Sequence, residues 1–148
     1  MKATVQECRD AFKAFSGPGG IGSVVLPAKA AWRVSRLISK LKPVVRDFEE
    51  TQRKLIIDAG GRESGGMIEL KNDPKGKTES DADFKAREAA FLQQINDHTK
   101  AVEELTKEEV EVDYESIPLS LFENEREPDK SPALKPMDLA NAGPFIQE

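Results

Sequence analysis

One cysteine, Cys8, and one histidine, His98, stand among the 148 residues. A single cysteine permits no intrachain disulfide and excludes a cysteine-rich metal centre. A lone histidine builds no zinc site without cysteines or several carboxylates around it. No apolar run approaches the roughly 20 residues that a membrane span requires. Residues 1–15 lack the apolar core of a secretory signal, which leads to the expectation of a protein that folds in a cytoplasm. Neither an exposed aromatic cluster nor a known nucleic-acid module is visible. The net charge of −5 gives the whole chain no electrostatic reason to seek nucleic acid.

What is present is polar. The apolar fraction is 38% and the charged fraction 33%, wetter than an average globular domain. This balance suits a thin helical object, or a small core with a polar tail. Thr4 and Glu7 have capping-box spacing, and Val5, Cys8, Phe12 and Phe15 follow at helical intervals, so a short amphipathic helix is predicted over 4–16. "SGPGGIGS", residues 16–23, must end it, with four glycines and a proline. "GPGGIG" is not a phosphate loop, because a polar helix rather than a buried strand precedes it and no Gly-Lys-Ser/Thr ending follows.

A long helix is predicted over 27–59, with Pro27 at its start and Gly60-Gly61 at its stop. Val34, Leu41, Phe48 and Leu55 recur by sevens, the spacing of a helix packed along its length on another. Pro43 inside it is expected to bend the helix without ending it. Ser80 caps a second long helix over 81–108, in which Phe84, Phe91, His98 and Leu105 again repeat by sevens. The connector between them contains "MIEL" at 67–70, a short strand, for which the alternating "VEVDY" at 110–114 is the expected partner. The predicted fold is mainly α: an antiparallel two-helix hairpin with a short N-terminal helix, a small two-stranded β element and an extended C-terminal arm. The body is expected to span 1–122, and the proline-punctuated arm 123–148.

"PAKAAWRVSRLISKLKPVVRDF", residues 27–48, carries six bases and one acid. At 100° per residue, Lys29, Arg33, Arg36 and Lys40 fall within about 60° of one another. This stripe reads first as a solvated helix face, then as a protein–protein contact, and last as a grip on nucleic acid. Residues 101–127 hold ten acids and two bases, the natural complement of the stripe within this chain or on a neighbour. Trp32 lies beside the stripe and is the best candidate contact anchor. Leu139, Phe145 and Ile146, apolar residues in the arm, are candidates for docking on the body or on a neighbouring subunit. His98 reads as a residue of the second helix's apolar seam, and Cys8 as a buried thiol. No catalytic group, cofactor or metal site is marked out.

The stretches "LPAKAAWRVSRLISKLKPVVRDFEETQRKLI", "EEVEVDYESIPLSLF" and "DLANAGPFI" together resemble small tailed-bacteriophage proteins encoded among virion genes, mostly of unknown function. The likeness is one of pattern across most of the chain, and the "SGPGG" insert departs from it. It implies a phage origin and a non-enzymatic structural role: contacts with other virion proteins in the head–tail or tail region, in multiple copies, first in the host cytoplasm and then in the particle. Two alternatives stand beside it. One is an assembly chaperone absent from the finished particle. The other is a host-directed inhibitor or ligand-sequestering protein, with a pocket between subunits lined by Lys29, Arg33 and Arg36.

Overall fold

The structure is a computed structural model and describes residues 1–123, 132 and 134–148. The chain is mainly helical, with small two-stranded sheets. It forms two compact units, one of Met1–Asp47 with Thr106–Glu148, the other of Phe48–Leu105.

The first unit is built on β1 (Lys2–Thr4) and α1 (Val5–Ser16). The Thr4 hydroxyl accepts from the Glu7 backbone N–H at 3.1 Å while the Glu7 carboxylate accepts from the Thr4 N–H at 2.7 Å, completing the capping box expected there. Val5, Cys8, Ala11 and Phe15 point inward at helical spacing. The glycine-rich stretch ends α1 and winds into a single 3-10 turn, Ile21–Ser23, that buries Ile21.

α2 (Ala28–Asp58) then runs unbroken through Pro43. Pro27 lies just outside it, its carbonyl accepting from the Ala31 N–H at 2.9 Å. Val34, Leu37 and Leu41 share one core with Cys8, Phe15, Val112, Ile117 and Phe122. The sevenfold spacing therefore marked a buried stripe but not its neighbour. Up to Leu41 the stripe packs into a mixed core, and only Phe48 and Leu55 belong to the unit that contains the second long helix.

That helix is α3 (Asp81–Lys107), capped as expected by the Ser80 hydroxyl, which accepts from the Asp83 N–H at 3.1 Å. In the second unit the chain reverses through β2 (Arg62–Ser64) and β3 (Met67–Glu69), between the end of α2 and α3. α2 stops on Gly60, at φ 90°, with the Gly60 N–H donating to Ile57 and the Gly61 N–H to Ile56. This is a Schellman closure, and it needs glycine at the positive φ. The Gln94 amide donates to the Ala59 carbonyl, tying α3 to that end.

The expected strand pairing is corrected. β3 pairs not with 110–114 but with β2, Glu63 opposite Ile68, across the Gly65-Gly66 turn, where φ is 60° and 81°. Two adjacent glycines at positive φ close a local hairpin, which wins over a remote partner because it orders far less chain. The "VEVDY" segment supplies β4 (Glu109–Glu111), which pairs antiparallel with β1.

The arm is corrected as well. Residues 124–131 and 133 lie outside the described residues, so its extended character there is not addressed. Its described part folds into the first unit, so the boundary at 122/123 does not separate two bodies. α4 (Pro136–Ala142) packs on α1. Beyond Gly143, Phe145 is fully buried, and β6 (Ile146–Gln147) pairs in parallel with β5 (Ile117–Pro118). The Ser116 hydroxyl donates to the Pro144 carbonyl at 3.0 Å, and Lys135 donates to the Gly19 carbonyl at 3.3 Å. A proline-rich segment forms no long element, but seven helical residues suffice to seal an existing apolar face.

Candidate functional site

The candidate site lies on the first two turns of α2. Ala30, Val34 and Leu37 hold this end of the helix in the core, which fixes the opposite face toward solvent. On that face stand Lys29, Trp32, Arg33 and Arg36, at i, i+3, i+4 and i+7. Trp32, the chain's only tryptophan, is 60% exposed. The Arg36 guanidinium lies over its ring, 5.3 Å from the centroid. A stacked guanidinium keeps its in-plane N–H groups available, so it still forks onto a carboxylate. Beside the pair is an open groove of about 560 Å³, lined by Ala28, Lys29, Trp32, Arg33 and Leu121.

The basic stripe divides into two sets. Lys29 and Arg36 are exposed. Arg33 and Lys40 turn toward the segment after β4. Arg33 donates from Nη2 to the Ser116 carbonyl at 3.3 Å and lies 5.3 Å above the Tyr114 ring. The Tyr114 hydroxyl in turn donates to the Arg33 backbone carbonyl at 2.9 Å. Lys40 pairs with Asp113 at 3.5 Å. Among the described residues, the acidic segment thus meets the stripe at one carboxylate, Asp113. Among the described residues no carboxylate pairs with Lys29, Arg33 or Arg36, and Arg33 Nε is buried without a hydrogen-bond partner.

The C-terminal candidates fall elsewhere. Phe145 is fully buried, while Leu139 and Ile146 are half-buried, all within the first unit. Phe145 lies in the core of this unit and Ile146 packs against it. Leu121 was not singled out from the sequence. Its only signal is the short "IPLSLF" apolar run, which says nothing of a groove.

In the second unit, His98 is half-buried, as its seam position implies. It lines an open groove of about 730 Å³ with Leu55, Phe91, Gln94 and Asp97 among others. The strongest polar cluster here is structural. Arg87 forks onto Glu79 at 2.9 and 3.1 Å, and donates to Asn72 Oδ1 at 2.9 Å and to the carbonyls of Asp73 and Pro74 at 3.0 and 3.2 Å. The hydrogen bond from Arg87 is the main reason that the Glu79 carboxyl is held below its ordinary value of 4.5. Sequence reasoning missed this fastening, although an arginine three residues after Phe84 on an apolar seam is a usable signal for it.

Cys8 is buried, and burial first, then the Glu7 charge, pushes its thiol up to about 11. Among the described residues no three His, Cys, Asp or Glu side chains are grouped to hold a metal, and no helix is long and apolar enough to cross a membrane. No family model, curated protein or solved structure matches the chain.

Proposed function

We propose that this chain is a non-enzymatic bacteriophage structural protein that works by contacts with neighbouring virion proteins, in multiple copies, in the head–tail or tail region. The phage setting rests on the pattern resemblance of the two long helices, the acidic segment after them and "DLANAGPFI". The observation that carries the binding role is Trp32, 60% exposed on a helix otherwise anchored in a core, with Arg36 over its ring and Lys29 beside it. Tryptophan and arginine dominate the energetics of protein interfaces, and an exposed pair of them on a rigid helix keeps the ordering cost of binding small. Arg33, in the lining of the same groove, ties the helix to Tyr114 and Ser116, so the face is preorganised.

The test is peptide mass spectrometry of purified particles from the encoding phage, alongside the infected-cell lysate. Recovery from particles at several copies each supports the structural role. Recovery only from assembly intermediates transfers the protein to an assembly chaperone. Absence from both overturns the reading. Trp32→Ala is expected to leave the helical circular dichroism intact and to lower incorporation at least tenfold.

A further inference from the structure

The groove beside Trp32 has a charge pattern that narrows what it binds. On a chain of net charge −5, two cations, Lys29 and Arg33, line one apolar groove and a third, Arg36, lies over its Trp32 ring, and among the described residues none of them has a carboxylate partner. Lys29 and Arg36 are exposed, and Arg33 is half-buried with its Nε unbonded. The other cation of the stripe, Lys40, is matched by Asp113. The floor and wall between the cations are the Trp32 ring, Ala28 and Leu121.

We infer that this groove takes an acidic peptide segment of a partner protein, one that places an apolar side chain against Trp32 and Leu121 and carboxylates on Lys29 and Arg36. This rests on the reading of the chain as a binding protein and specifies the chemistry of its partner. Three features favour a peptide over nucleic acid. The two cations that line the groove and the third over Trp32 supply few phosphate contacts. Its lining is apolar between the charges, which suits an aliphatic side chain flanked by acids. The chain as a whole carries a net charge of −5, which gives it no general attraction for a polyanion.

The experiment titrates the full chain into a short fluorescein-labelled peptide of alternating glutamate and leucine, read by anisotropy. In parallel, the emission of the sole tryptophan is followed with unlabelled peptide. Expected are saturable binding that weakens as salt is raised and a shift of the Trp32 emission. The Lys29→Glu/Arg36→Glu variant, with unchanged circular dichroism, is expected to bind at least tenfold more weakly. Polyglutamate without leucine is expected to bind weakly, and the lysine–leucine peptide not at all. Several results overturn the inference: no binding, binding without a change in tryptophan emission, equal binding by the double variant, or tighter binding of a DNA oligonucleotide. If the peptide fails while the chain is still found in purified particles, the partner chemistry is wrong and the structural role stands. If peptide binding succeeds and the chain is in neither particles nor assembly intermediates, the groove's chemistry holds and the virion role falls.

Discussion

Replacing Arg87 with alanine removes every hydrogen bond by which this side chain fastens residues 72–74 and Glu79 to α3. The pH response has a definite sign. Glu79 has its folded value depressed, chiefly by the Arg87 hydrogen bond, so the stabilisation it brings is present above its unfolded value and is lost as pH falls through the folded one. Amide exchange of the connector is therefore expected to speed up as pH drops from about 4.5 downward, beyond the intrinsic pH effect, and Arg87→Ala is expected to erase that window. Cys8 makes a second residue-scale case. With its thiol at about 11 and its side chain buried, iodoacetamide at mildly alkaline pH is expected to leave it unmodified in the folded protein and to alkylate it once urea opens the core. Phe145→Ala empties the space of a fully buried ring, and a loss of about 3–5 kcal/mol in denaturant titration is expected.

At the scale of elements, the sequence was legible where the signal is local. Thr4 with Glu7, Gly60-Gly61 and Ser80 each name a helix end through a hydrogen bond spanning a few residues, and all three ends stand where they were read. Pairing was less legible, because alternation marks a strand without naming its partner. "VEVDY" joins β1, whose three residues Lys2–Thr4 carry no pattern of their own. The heptad spacing of α2 had the same defect, since burial on one face looks alike whichever neighbour covers it. Leu41→Asp places an unpaired charge in the shared core and is expected to cost more than about 4 kcal/mol. In the candidate site, the stripe and Trp32 were readable from helical spacing. The division of the stripe was not, because Asp113, Tyr114 and Ser116 reach it from far along the chain. Deleting residues 134–148 separates the readings of the arm: helical signal and melting would survive if it were dispensable. The packing of α4 and Phe145 predicts instead that the truncated chain loses cooperative melting of the first unit.

Over the whole molecule, buried apolar side chains are distributed unevenly. Among the described residues the second unit has one, Phe48, while α3 has none and the remainder lie in the first unit. Local stability follows buried contacts, so hydrogen-exchange mass spectrometry is expected to find 81–105 exchanging well before 5–16 and 34–41. The order of the chain adds a consequence in time. The face of α1 that carries Cys8, Ala11 and Phe15 is finished by α4 and Phe145, which a ribosome delivers only after both long helices. At roughly 5–20 residues per second, that face stays open to solvent for seconds in every round of translation. A nascent chain stalled after α3 is thus a distinct client for holding factors. A crosslinker placed at Phe12 should catch them on stalled ribosomes and lose them once translation passes residue 146.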